Sequence, residues 1–247
     1  MDEEIRHIDL CSGIGGFALA AGWAGSRANR NVRTVAFSEI DPFCQAVLRH
    51  HWPGVPVIDD LRKFDYEGGC DLVTAGYPCQ PFSVAGKQKG AADDRHLWPH
   101  VFEIVKRKRP AWCLFENVTG HITLGLDEVL LDLENEGYAA RPLVVPACSK
   151  NAPHRRDRVW IVAYADRAGQ CTGQGGGQNC QNKARHDAGR SSASGRPQEW
   201  WAVEPNVCRV ATGVPNRVAQ LRALGNAIVP QVAAEILEAM FRNWDHV

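Results

Sequence analysis

Short apolar runs alternate with stretches of helical periodicity through the first 165 residues. The runs at residues 6–11, 34–38, 55–58, 71–75 and 112–115 predict strands, and the stretches at 16–21, 42–50, 97–108 and 126–136 predict helices between them. Strands separated by helices predict an α/β fold, with a parallel sheet covered on both faces. Two further strands, 139–145 and 158–164, leave no room for a helix between them and are expected to pair antiparallel at one edge. The pattern then breaks. Residues 169–195 hold seven glycines among Gln, Asn, Ser and Arg, with almost no large apolar side chains. Such a stretch is a loop or a small irregular module that buries little core of its own. Order is expected to resume near Trp200 and Trp201, and a last helix is predicted over 231–242, its start marked by Pro230. The domain reading is therefore residues 1–165 as one unit, 166–213 as a small separate region, and 214–247 returning to complete the first.

Composition narrows the class. The 247 residues are 45% hydrophobic and 23% charged, which excludes a disordered tail, a collagen-like chain and a fibrous repeat. No apolar run approaches the roughly 18–20 residues of a membrane span, and no secretory signal is visible at the acidic start, so a cytoplasmic protein is expected. Nine cysteines without a C-x-x-C pair read as reduced thiols, not as a disulfide framework or a zinc site, and no metal is expected. The net charge of zero hides an asymmetry: residues 1–140 carry a net −6, residues 141–224 a net +8, and residues 225–247 a net −2. A basic block of this kind is either a solvated face or a surface for a polyanion.

Chemistry-bearing residues cluster at the strand ends. The first strand runs into Asp9-Leu-Cys11-Ser12-Gly13-Ile14-Gly15-Gly16, where glycines permit close backbone approach and a helix N-terminus follows. The spacing is not the G-x-G-x-x-G of dinucleotide binders, and a plain structural turn is the competing reading. The second strand ends in Glu39-Ile40-Asp41, and a carboxylate there can accept both hydroxyls of a ribose. The fourth ends in Gly76-Tyr77-Pro78-Cys79-Gln80-Pro81-Phe82-Ser83, followed by a Gly/Lys/Gln run. Most single cysteines are inert core residues, yet Cys79 lies where open α/β sheets bind ligands and is a candidate nucleophile. Glu116 follows the fifth strand and is expected to be partly desolvated, with a raised carboxyl pKa. Strand alternation would put Arg156 and Arg158 on one face of the edge hairpin, aimed into the same cleft; a surface cluster is the alternative.

Taken together, in order and spacing, these pieces resemble the cytosine-5 DNA methyltransferase family. The likeness covers residues 6–164 and resumes at Gly225-Asn226-Ala227-Ile228-Val229-Pro230; the compact length is similar to the short forms carried by phages and prophages. The resemblance implies a Rossmann-like S-adenosylmethionine-dependent methyltransferase sheet with an antiparallel edge hairpin and a small irregular target-recognition region. It implies that Cys79 adds to carbon 6 of cytosine, that Glu116 contacts N3 and the exocyclic amine, that Arg158 holds the O2 side and that Arg156 assists. It implies S-adenosylmethionine bound by Cys11, Ser12, Gly13, Ile14, Gly16, Asn226 and Ala227 on the methionine side. Glu39 would take the ribose, Ile40, Asp60 and Leu61 the adenine, and Gly76 and Pro78 the floor. The loop of residues 80–95 would close over a flipped base, with Gln80, Ser83, Lys87, Gln88, Lys89 and Arg95 touching DNA. Cys11 stands where the family has Phe, and His154 where it has Gln. The partners implied are double-stranded DNA and a cognate restriction endonuclease, with the protein a monomer. A tRNA methyltransferase of the same family, a catalytically impaired DNA-binding homologue and a nicotinamide oxidoreductase are the alternatives.

Overall fold

The computed structural model describes residues 4–78, 97–165 and 217–246. Seven strands form one sheet: β1 (Ile5–Leu10), β2 (Val32–Ser38), β3 (Val57–Ile58), β4 (Leu72–Ala75), β5 (Trp112–Val118), β6 (Tyr138–Pro146) and β7 (Asp157–Ala165). Their order is β3-β2-β1-β4-β5-β7-β6. The first five run parallel, and β7 lies antiparallel between β5 and the edge strand β6. The predicted hairpin therefore sits at the predicted edge. The helices are α1 (Gly16–Ala28), α2 (Pro42–His51), α3 (Trp98–Lys108), α4 (Leu126–Asn135), α5 (Arg217–Asn226) and α6 (Pro230–Arg242).

Burial on both faces explains the near-continuous apolar runs of the central strands. On one face Val73, Ala75, Cys113 and Phe115 meet α3 and α4 through Val101, Ile104, Val105, Val129 and Leu133. On the other, Leu72, Leu114 and Trp160 meet Phe17, Ala20, Ala21 and Ala24 of α1, with Leu237, Met240 and Phe241 of α6. The last helix thus packs on the first, across more than 200 residues of sequence. Among the described residues, no helix is long and apolar enough to cross a membrane.

Three differences from the sequence-based expectation bear on the site. β5 continues past Phe115 to Val118 because its ladder to β7 does: Glu116 opposes Trp160, and Val118 opposes Arg158. Glu116 is thus inside a strand rather than after one. Arg156 lies outside β7, at φ +38°, so strand alternation does not aim it; a left-handed turn does. Helix α5 is not among the expected helices: its large apolar residues Val218, Leu221 and Leu224 are exposed, and of its apolar positions the small Ala223 is buried. The region 166–213 lies outside the described residues; of the last segment, α6 packs with α1 in one apolar cluster with the sheet.

Candidate active site

A cleft of about 550 Å³ opens at the carboxyl ends of β1, β2, β4 and β5, the place where open α/β sheets take ligands. Its volume falls in the range of small-molecule sites. Cys11 and Gly13 line it from β1, Glu39, Ile40 and Asp41 from β2, Asp60 and Leu61 from the turn after β3, and Gly76 and Pro78 from β4. Glu116 and Asn117 come from β5, Arg156 from the turn before β7, Arg158 from the start of β7, and Arg222 and Asn226 from α5.

The turn after β1 is held open by its own polar groups. Ser12 Oγ donates to the Asp9 carbonyl at 2.6 Å and to the Ser38 carbonyl at 3.2 Å, fixing the ends of β1 and β2 together. Gly15 adopts φ +85°, and a Cβ there would fall 2.5 Å from the Trp52 ring, so conformation and packing both demand glycine. A Cβ on Gly16 would meet Ile228 at 2.7 Å; this residue packs against the returning chain. Ser12, Ile14 and Gly16, also expected at the cofactor, belong to this turn, and Ala227 to the chain packed over it.

Glu39 is fixed by two backbone donors, Gly13 N–H at 2.7 Å and Asp41 N–H at 2.8 Å, one to each carboxylate oxygen. Its neighbour Ile40 is 70% exposed and presents bare apolar surface to the cleft. Asp60 accepts from the backbone and side chain of Arg62 at 3.0 and 2.9 Å, and these bonds hold its carboxyl below the usual range. A fixed carboxylate, an open apolar side chain and a second carboxylate, spread along one wall, suit a ribose and a purine. Cys11 has the opposite character. Burial, with Glu39 and Asp9 nearby, pushes its thiol far up, so it is a neutral wall residue and not a nucleophile.

Across the cleft, Glu116 Oε1 meets Arg158 Nε at 2.9 Å. The antiparallel register places them as a diagonal pair on one face of the sheet. Burial raises the Glu116 carboxyl, opposed by the charges of Arg158 and Arg156, and the net direction is upward. Such a group holds a proton to higher pH than an ordinary glutamate and can offer both O–H and O to the edge of a heterocycle. Arg156 turns the other way: its Nη2 donates to the carbonyls of Gly225 at 3.0 Å and Ala227 at 2.8 Å.

The structure thus brings together Glu116, Arg156, Arg158, Cys11, Gly13, Glu39, Ile40, Asp60, Leu61, Gly76, Pro78 and Asn226. Cys79, Gln80, Ser83, Lys87, Gln88, Lys89 and Arg95 lie outside the described residues. Sequence reasoning missed Asn117 and Arg222, which also line the cleft, and a buried polar chain beneath it. In that chain Thr34 Oγ lies 3.0 Å from His7 Nδ1, His7 Nε2 lies 2.8 Å from Thr74 Oγ, and Thr74 Oγ donates to Asp9 Oδ1 at 2.9 Å. Its sequence signal is the pair His7 and Asp9, alternating on one side of a strand that also carries Arg6.

A family model described as C-5 cytosine-specific DNA methylase matches residues 5–188. The Type II methyltransferase M2.BsuMI of Bacillus subtilis is 36% identical over 171 residues, covering 64% of this chain and 42% of that protein. The Type II methyltransferase M.NgoMIV of Neisseria gonorrhoeae is 39% identical over 167 residues, 65% of this chain and 52% of that one. The chain thus spans about half the length of these relatives. Among solved structures, a mutant DNMT2 of Spodoptera frugiperda superposes with a TM-score of 0.56 at 20% identity, over 66% of this chain and 50% of that one. The Entamoeba histolytica methyltransferase EhMeth gives 0.55 at 18%, over 74% and 58%. These two likenesses concern the fold alone.

Proposed function

Because the chain belongs to the C-5 cytosine-specific DNA methylase family, we propose that it transfers a methyl group from S-adenosylmethionine to carbon 5 of a cytosine extruded from duplex DNA. The observation that carries the reading is the partly buried Glu116–Arg158 pair facing the Glu39 wall across one strand-end cleft. The cleft fits the cofactor: Glu39 would hold the ribose, Ile40 and Asp60 the adenine, and Asn226 with the turn after β1 the methionine end. When bound, S-adenosylmethionine supplies an electrophilic methyl group on a sulfonium.

Carbon 5 of cytosine is a weak nucleophile, and the protein's own groups supply what it lacks. The Cys79 thiolate forms a bond to carbon 6, and the electrons displaced from the 5,6 double bond run toward N3. Glu116, whose carboxyl burial raises, delivers a proton to N3 and so neutralises that charge, while Arg158 holds O2 and fixes the ring plane. The resulting enamine makes carbon 5 nucleophilic toward the methyl group that bound S-adenosylmethionine would supply, the sulfonium sulfur leaving as a neutral thioether. Loss of the carbon 5 proton to water or a base then re-forms the double bond and expels Cys79, and the N3 proton returns to Glu116. Arg156 assists from beside the pair. On the same reading, the base is reached by flipping, with the loop of residues 80–95 contacting the DNA through Gln80, Ser83, Lys87, Gln88, Lys89 and Arg95. Residues 166–213 read the target sequence. Two relatives carry the Type II name, and by extension a cognate restriction endonuclease would be the partner of a monomeric, cytoplasmic enzyme.

Duplex DNA carrying 5-fluorocytosine tests this directly, since fluorine blocks the elimination that frees the enzyme. With S-adenosylmethionine present, a denaturation-resistant protein–DNA adduct is expected, and none with Cys79→Ser. An undiminished adduct in that variant, or adduct formation on tRNA but not on duplex DNA, overturns the reading.

A further inference from the structure

Arg156 holds a backbone conformation that assisting the pair does not explain. Its backbone sits at φ +38°, a left-handed conformation unfavourable for a residue with a Cβ and kept only where surrounding contacts enforce it. The contacts that do so are distant in sequence. One guanidinium nitrogen donates to the carbonyls of Gly225 and Ala227, 69 and 71 residues further on. These carbonyls close helix α5, at the end where helical carbonyls lack partners and carry partial negative charge, so a cation there is held by charge as well as by direction. Its Nε is buried without a hydrogen-bond partner among the described residues. The remaining influence of the group is electrostatic, on Glu116 and Arg158 two residues along.

We infer that Arg156 is a positioning residue that ties the turn of residues 225–227 to the Glu116–Arg158 pair, so that cofactor and target nucleotide bind cooperatively. The inference rests on the function proposed above. Asn226 sits between the two carbonyls that Arg156 grips, on the methionine side of the cleft. Arg158 and Glu116 sit on the side that would hold the base. A ligand that settles the 225–227 turn therefore settles the Arg156 side chain, and with it the backbone from which Arg158 projects. The reverse holds for a base that settles Arg158, since linkage is reciprocal. The link needs the forked, planar guanidinium. A lysine keeps the charge but offers one compact ammonium in place of the fork.

The experiment is a pair of titrations on the full chain: S-adenosylhomocysteine alone, then S-adenosylhomocysteine with sheared unmethylated plasmid DNA present. In the wild type, DNA should tighten S-adenosylhomocysteine by about ten-fold or more, within the ordinary span of coupling between sites. In Arg156→Lys and in Arg156→Gln the gain should fall below about two-fold, whatever the change in affinity for S-adenosylhomocysteine alone, so the readout is the ratio of the two affinities. A role confined to general stability would lower both affinities and the melting temperature but leave their ratio unchanged, and that result overturns the inference. So does a wild type that binds both ligands without coupling. A wild type that binds neither ligand fails at the earlier step and removes the proposed function itself, before any variant is made.

Discussion

The hydrogen-bond directions in the polar chain under the cleft fix the state of its histidine. Thr74 spends its hydroxyl proton on Asp9, so it must accept from His7 Nε2–H, which leaves Nδ1 bare to accept from Thr34. His7 is therefore neutral, and full burial pushes its pKa down to about 3. Between about 3 and the ordinary histidine value the unfolded chain binds a proton that the folded chain refuses. The stability His7 contributes is thus complete above roughly pH 6.5 and is lost as pH falls through that window. Asp9, whose carboxyl burial raises, works with the opposite sign, its contribution fading as pH rises. A melting curve would mix the two, so the readout is the His7 ring itself. Its NMR shifts should stay those of the Nε2–H tautomer down to about pH 4, and a midpoint above 6 would contradict the assignment. At this scale the site was half legible. Glu39, Glu116 and Arg158 could be read because each is a charged residue ending or entering an apolar run. Arg156 also lines the cleft, but its direction could not be read, being set by carbonyls some 70 residues away.

Helix ends do much of the positioning at the next scale. Asp41 caps α2, accepting from Phe43 N–H at 2.8 Å and Cys44 N–H at 3.4 Å, while its own N–H holds Glu39. One short segment therefore starts a helix and fixes a cleft carboxylate. Asp41→Ala should cost about 1 kcal/mol in urea unfolding, the usual worth of an aspartate cap. Because the backbone N–H survives the substitution, S-adenosylhomocysteine binding should weaken only as far as the local loop loosens. An unchanged urea midpoint would show the cap contributes nothing. Strand and helix positions were legible from periodicity, but lengths were not. β5 runs on to Val118 because β7 continues to pair with it, and α1 runs to Ala28 because its alanine-rich sequence favours helix until Asn29 turns left-handed. Both extensions depend on partners or caps that a hydrophobic pattern does not display.

In the molecule as a whole, parallel order followed from strands alternating with helices, and the edge hairpin from the missing helix between its strands. The closure of α6 onto α1 had no signal beyond an amphipathic pattern, since periodicity shows that a face is buried but not against what. That contact is substantial: Phe241 is fully buried among α1, α6 and the sheet. Phe241→Ala should destabilise the fold by about 3–5 kcal/mol, the range for emptying an aromatic core position, and a loss under about 1 kcal/mol would mean the helix is only loosely seated. Seating of this kind changes what the covalent chain is needed for. Asn226 lines the cleft on a chain that α6 moors to α1, with Ile228 filling the space over Gly16. An anchorage of this kind predicts that another sequence, of another length, between residues 165 and 217 leaves this wall and its affinity for S-adenosylhomocysteine in place.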